Sequence, residues 1–204
     1  MTDLRHPQTD SRCPHFFIAV PLPNKVKSVL AEWSETLRKH WQFGKWVHPA
    51  DYHITLRFLG SCPTEKVEQV KEHLSRSLPP AKPFTLNIGG LHIFGQPQRP
   101  RILWADVGGE KDALQRLQHH VSISLETIGF PREQRPYRPH ITLAKRYQKN
   151  DFPYKRLAMY NLPETKPIDW PVREMVLYQT HLGKIPMYES VRKYALQSGQ
   201  SGIL

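Results

Sequence analysis

The chain is 204 residues long, with 29 Lys and Arg against 18 Asp and Glu, a formal net charge of +11. That length buries a sizeable core without covalent staples, the two cysteines, Cys13 and Cys62, have no CxxC or Cys/His zinc spacing, and no apolar run approaches the ~20 residues of a membrane span, so a disulfide scaffold, a zinc module and a helical membrane protein are not expected. The positive balance favours a polyanionic partner such as nucleic acid or another phosphorylated ligand, the cysteine usage suits a cytoplasmic setting, and with no interface stripe left over the expected state is a monomer without an obligate protein partner.

Met1 to Cys13 is polar and is expected to be a flexible tail ahead of a single bilobal domain over 14–204. Phe16 to Val20 is aromatic and β-branched and is closed by Pro21 and Pro23, which predicts a buried strand. Val26, Leu30, Trp33, Leu37 and Trp41 follow at steps of three and four, a helical stripe with Asn24 as N-cap and Phe43-Gly44 as its end. Pro49 breaks the connection to a strand over Tyr52 to Leu59. Pro63 opens a second amphipathic helix with the stripe Val67, Val70, Leu74 and Leu78, stopped by Pro79-Pro80. The run Phe84 to Phe94 predicts a strand with a bulge or break at Gly89-Gly90, and Gln96 to Pro100 a turn. Leu114, Leu117, Val121, Leu125 and Ile128 mark a third helix, after which Gly129 to Pro139 leads into a strand at His140. Asn150 to Met159 offers a short helix interrupted by Pro153, and Arg173 to Thr180 and Tyr188 to Leu196 read as two strands joined through Gly183 and Pro186.

One tetrapeptide recurs unchanged: His53-Ile54-Thr55-Leu56 and His140-Ile141-Thr142-Leu143, 87 residues apart. The same offset carries Phe16-Phe17 to Leu103-Trp104, Leu30 to Leu117, Phe43 to Phe130 and Pro49 to Pro136, which marks a duplicated unit with halves at about 15–98 and 101–196. The expected fold is α+β: two pseudo-symmetric lobes with mostly antiparallel sheets, helices packed outside and a central groove. On a strand, the side-chain period of two sends His and Thr to one face and Ile and Leu to the other. A pseudo-two-fold arrangement of the copies brings the two His/Thr faces together.

Two imidazoles across a small site supply one general base and one general acid, because histidine titrates near the working pH. Two Thr hydroxyls beside them donate hydrogen bonds to the non-bridging oxygens of a bound phosphate. That donor set suits phosphodiester hydrolysis and calls for no metal and no cofactor. The near-symmetric motifs leave acid and base interchangeable. Strict alternation puts Arg57 on the His/Thr face, and Arg138, two residues before His140, is a second substrate-binding candidate. Lys145 and Arg146 alternate, so at most one shares the catalytic side. Phe17 and Trp104 are candidates for stacking a base, although both sit in core strands. A noncatalytic RNA-end-binding module is the main rival, but it does not require two aligned His/Thr pairs. A metal site has less support: there is no His-Glu-x-x-His, and His119 and His120 diverge by about 100° on a helix.

With Phe16-Phe17-Ile18-Ala19-Val20, His53-Ile54-Thr55-Leu56-Arg57-Phe58-Leu59-Gly60 and Arg138-Pro139-His140-Ile141-Thr142-Leu143, the chain resembles the two-histidine phosphoesterase superfamily, and within it the bacterial and archaeal RNA 2′,3′-cyclic phosphodiesterases, first named 2′-5′ RNA ligases. The resemblance implies a bilobal fold with a central groove and hydrolysis of RNA 2′,3′-cyclic phosphate ends to 2′-phosphomonoesters, with ligation as the reverse reaction. It also implies roles: His53 as proton donor, His140 as proton acceptor, and Thr55 and Thr142 as phosphate ligands. A small nucleotide cyclic phosphate is the alternative substrate.

Overall fold

The aromatic and β-branched run after Pro14 forms strand β1 (His15–Pro21) and leads into helix α1 (Asn24–Arg38), whose buried residues Val26, Leu30, Trp33 and Leu37 are the predicted stripe. The computed structural model describes residues 13–77, 81–162 and 168–196. The expected tail up to Arg12, Leu78 of the second stripe and the stop at Pro79-Pro80 lie outside these residues. The remaining elements are β2 (Phe43–Trp46), β3 (His53–Ser61), α2 (Thr64–Ser77), β4 (Phe84–Gln96), β5 (Arg99–Gly109), α3 (Lys111–Glu126), β6 (His140–Tyr147), β7 (Asp169–Val172), β8 (Glu174–Thr180) and β9 (Tyr188–Ala195), with short 3-10 turns at Pro49–Asp51 and Tyr154–Tyr160.

The first helix differs from the sequence reading at both ends. Pro23, not Asn24, is the N-cap, and it makes no side-chain cap bond. The C-terminus comes at Arg38, where the Lys39, His40 and Trp41 amides bond back to the carbonyls of Thr36 and Leu37. Phe43-Gly44 therefore opens β2 instead of ending the helix, because Phe43 finds a strand partner in Tyr147. Trp41 stays buried beyond the helix, against Phe152 and Tyr160. The Gly89-Gly90 pair produces a register shift within one continuous strand, β4, and not a break. The short strand β7, on the far edge beside β4, has no counterpart among the predicted elements.

The fold is α+β with two antiparallel sheets, ordered β3-β1-β8-β9 and β2-β6-β5-β4-β7. Neither sheet belongs to one half of the sequence: β8 and β9 complete the sheet begun by β1 and β3, while β2 joins the sheet built on β6 and β5. The motif strands β3 and β6 thus lie in different sheets. One apolar cluster joins both sheets to α1, α2 and α3, and it contains Ile54, Leu56, Ile141 and Leu143, all nearly inaccessible. A one-residue slip of either strand would turn its histidine into that cluster, so burial of these four side chains fixes the register.

Both motif strands carry a bulge at the same place. In β3 the pairing with β1 runs Ala19 to Thr55 and then Ile18 to Arg57, which leaves Leu56 as the extra residue. In β6 the pairing with β5 runs Trp104 to Thr142 and then Leu103 to Ala144, which leaves Leu143 extra. An extra residue resets the alternation. Phe58 and Lys145, opposite Phe17 and Ile102, therefore share a face with the histidines, while Arg57 turns to the other side with Ile18. The partners also correct the repeat register: Ala19 and Trp104, which sit opposite the two threonines, are 85 residues apart and not 87.

Candidate active site

His53 begins β3 directly after the turn Pro49–Asp51, and buried Tyr52 fixes that junction through a 2.9 Å hydrogen bond with Ser34 of α1. The His53 ring Nδ1 lies 2.7 Å from the Asp51 carbonyl oxygen. A carbonyl only accepts, so Nδ1 carries the proton and Nε2 is the free base of the neutral ring. Thr55 Oγ1 lies 3.0 Å from Nε2 and donates to it in that state. Simple strand spacing separates the two residues by about 6–7 Å along the backbone, yet their side chains converge into one hydrogen-bonded unit.

His140 repeats the arrangement in the other sheet, with Nδ1 2.8 Å from the Arg138 carbonyl oxygen. Its Nε2 is again the basic nitrogen. Each ring makes a T-shaped contact with an aromatic side chain, His53 with Tyr188 at 5.1 Å and 87° and His140 with Phe94 at 5.1 Å and 89°. Phe17 and Trp104 back the two rings at 4.8 and 5.6 Å. Trp104 is itself stacked with both His92 and Phe94, at 4.8 and 4.7 Å, and is 7% exposed.

These walls remove water from the imidazoles and disfavour their charged forms. Burial lowers the His53 pKa to about 4; the Asp51 carbonyl bond opposes the shift, while the nearby charges of Lys145, His140 and Lys27 add to it. His140 is lowered by burial, with its bond to the Arg138 carbonyl opposing and Lys145 adding. Lys145 thus acts on both rings and His53 responds to His140, so the two motif strands, though in different sheets, lie within electrostatic range of each other. Lys145 sits opposite Lys45 of β2, and burial followed by repulsion from Lys45 and Arg146 lowers its own pKa.

The structure therefore gathers His53, Thr55, His140, Thr142 and Lys145 on one pair of facing surfaces. It does not bring Arg57 there. That side chain is 7% exposed and its guanidinium donates to the Pro131 carbonyl. The bulge at Leu56 reverses the alternation on which its facing argument depended. Arg138 reaches His140 through its backbone carbonyl, while its side chain is exposed. Of Lys145 and Arg146, strict alternation favours Arg146, and the bulge at Leu143 selects Lys145 instead. Asp51, which sequence reasoning did not single out, accepts backbone hydrogen bonds from Met187 and Tyr188 on its buried carboxylate. No sequence pattern announced it, since its partners are 136 and 137 residues away.

Two surface clefts lie apart from the histidines, one of about 470 Å³ lined by Arg57, Phe58, Arg132 and Arg135, the other of about 800 Å³ lined by Arg99, Arg101 and Arg146. Among the described residues there is no cluster of three or more His, Cys, Asp or Glu side chains with metal-ligand geometry.

A donor set of two imidazoles, two hydroxyls and an ammonium suits acid/base work on a phosphorylated ligand. Comparison with known proteins gives the same direction. The family model for LigT-like phosphoesterases matches residues 20–104. A protein of Geobacillus stearothermophilus named RNA 2′,3′-cyclic phosphodiesterase is 36% identical over 188 residues, 92% of this chain, which spans 59% of that protein's length. Its namesake in Bacillus subtilis (strain 168) is 33% identical over 185 residues, 90% of this chain and 97% of the relative. Among solved structures, a Thermus thermophilus protein superposes with a TM-score of 0.71 at 26% identity over 90% of this chain and 98% of its own. E. coli LigT complexed with 3′-AMP shares the fold, with a TM-score of 0.69 at 22% identity over 91% and 99%.

Proposed function

This chain belongs to the LigT-like phosphoesterase family, and from that premise we propose that it hydrolyses RNA 2′,3′-cyclic phosphodiester ends to 2′-phosphomonoesters by acid/base catalysis at His53 and His140. The observation that carries the reading is the repeated His-x-Thr unit, each copy with its Nδ1 pinned by a backbone carbonyl and its Nε2 left as the reactive nitrogen, and the two rings in electrostatic contact. His140 takes the proton of the attacking water. His53 delivers a proton to the departing 3′ oxygen, and Thr55 and Thr142 bind the non-bridging oxygens with the Lys145 ammonium beside them. With an RNA 5′-hydroxyl in place of water, the same groups form a 2′-5′ bond as the 3′ oxygen of the cyclic phosphate leaves with the proton from His53.

In the free protein burial disfavours the charged form of both rings, and His53, the ring assigned as donor, is lowered to about 4. Its proton therefore has to arrive with the substrate. A phosphodiester anion beside the imidazole favours the charged form, and once Nε2 is protonated Thr55 no longer donates to it, which frees the hydroxyl for a phosphate oxygen. Lys145 sits where it repels a divalent cation as well as an imidazolium, so the chemistry runs on protons alone. We further propose a cytoplasmic monomer, in keeping with the two free cysteines Cys13 and Cys62. No helix among the described residues is long and apolar enough to cross a membrane.

The test is incubation with an oligoribonucleotide ending in a 2′,3′-cyclic phosphate, in the presence of chelator. The expected product is the 2′-phosphomonoester, formed at an unchanged rate. Tight binding without turnover would favour the RNA-end-binding module instead, and turnover restored only by a divalent ion would overturn the proton-only mechanism.

A further inference from the structure

We propose that Asp51 is a positioning residue that sets the tautomer and placement of His53 and couples them to the base of the loop between β8 and β9. The two ends of this one residue hold two different things. Its backbone carbonyl accepts the His53 Nδ1 proton at 2.7 Å. Its carboxylate accepts the Met187 amide at 3.0 Å on Oδ1 and 3.1 Å on Oδ2, and the Tyr188 amide at 3.2 Å on Oδ1. Asp51 is 5% exposed, and a carboxylate so placed is costly unless its oxygens are hydrogen-bonded. Here the bonds come from backbone donors at the point where β9 begins. Lys27, the cation that feels its charge, donates to the Ala50 carbonyl at 2.6 Å.

The loop base also touches the site. Tyr188 makes a T-shaped contact with the His53 ring at 5.1 Å, and Met187 Sδ receives the Lys45 ammonium at 3.3 Å, while the Met187 carbonyl closes the loop onto the His181 amide at 2.8 Å. A displacement of Met187 and Tyr188 therefore moves Asp51, and with it the carbonyl that fixes the His53 ring.

The duplicated motif supplies the contrast. Two residues before His140 stands Arg138, whose carbonyl makes the same bond to Nδ1 but whose side chain is exposed and makes no hydrogen bond among the described residues. Only one of the two histidines is thus tethered through its neighbour's side chain to a distant loop. Groups that orient a reactive imidazole through its second nitrogen determine which nitrogen is free to react. The inference rests on the two-histidine reading of the site, and not on RNA being the substrate.

Asp51→Asn keeps the side-chain shape but turns an N–H group toward the Met187 amide, so the tether must shift. Imidazole 15N NMR at pH 8, where both rings are neutral, reports the two tautomers separately. The wild type should show Nδ1–H at both histidines. In Asp51→Asn, His53 should become a mixture with Nε2–H while His140 keeps its wild-type signals, and kcat on a cyclic-phosphate substrate should fall about tenfold with little change in KM, as expected for a misplaced reactive group. An unchanged His53 signal overturns the proposal, and so do equal changes at both histidines, which would mean general loosening. Should Asp51→Asn lack a native amide spectrum, Met187→Pro deletes one of the loop's two amide donors to the same carboxylate, and the same readouts decide. A wild type inert toward cyclic phosphates, with His53 still responding alone to the substitution, would sink the proposed activity while supporting the role of Asp51.

Discussion

Pinned by a carbonyl on one nitrogen and facing a hydroxyl on the other, His53 has little freedom left, and its chemistry depends on when it gains a proton. Each histidine carries a role worth about 10²–10⁴-fold, so His53→Ala and His140→Ala should each cripple turnover with the circular dichroism spectrum unchanged. The double variant should lose less than the product of the single losses, because the two act in one step. An aryl phosphodiester whose leaving group needs no proton separates the roles: it should rescue the variant lacking the acid, assigned to His53, and leave the other dead. Rescue of His140→Ala instead would exchange the assignments. The lowered pKa values also have a sign for stability. Between about 4 and the unfolded value near 6.5 the unfolded chain binds a proton at His53 that the folded chain does not. This contribution to stability is complete above pH 6.5 and is lost as the pH falls toward 4, with His140 acting in the same direction. Urea midpoints measured across that window should drop on acidification, and His53→Gln should flatten the drop. Binding of inorganic phosphate at pH 7 should take up protons, a quantity read by calorimetry in buffers of different ionisation enthalpy.

A β-strand distributes side chains by counting, and here the count is altered just after the threonine in each motif strand. The extra residues Leu56 and Leu143 move Arg57 off the histidine face and bring Lys145 onto it. Lys145→Met should therefore lower kcat/KM by about 10²-fold, the usual scale for losing one group that stabilises charge on the reacting oxygens. It should also raise the pKa of both histidines, since the Lys145 charge lowers them. Arg57→Met should do the opposite: kcat/KM stays within about threefold, while stability falls by about 1–3 kcal/mol because the Pro131 carbonyl loses its charged donor from the buried Arg57. Kinetics and denaturant midpoints on the same two proteins check both halves, and a kinetic loss in Arg57→Met larger than that in Lys145→Met would contradict the bulge assignment.

Across the whole molecule the positive charge is not confined to the two histidine faces. Arginines line both outlying clefts, Arg132 and Arg135 in one and Arg99, Arg101 and Arg146 in the other. A cyclic mononucleotide reaches only the charges of the site, whereas a longer RNA meets these as well. Affinity should fall with salt in both cases, with a slope of roughly 0.7 per phosphate contact for a single strand, and the slope should steepen with RNA length. Equal slopes for a mononucleotide and an octanucleotide would confine recognition to the site itself.

Read by itself, the sequence determined that two strands carry identical His/Thr faces, that their opposite faces are core, and that α+β elements alternate around them, because strand and helix periods are local properties written directly in the spacing of apolar residues. It also marked the irregularity in β4 at Gly89-Gly90, leaving open the bulge or break that the pairing with β5 decides. The bulges at Leu56 and Leu143 were not legible, since nothing distinguishes an extra leucine in an apolar strand from a paired one until the partner strand fixes the register. For the same reason the choice between Arg57, Lys145 and Arg146 belonged to the tertiary structure. The partnership of Asp51 with Met187 and Tyr188 was hidden by distance: β9 returns to the sheet of β1 and β3 only after most of the chain has folded through the other sheet, and a contact over 136 residues leaves no periodicity to read. Local chemistry repeats in the sequence, and what makes the two copies unequal is decided where distant segments meet.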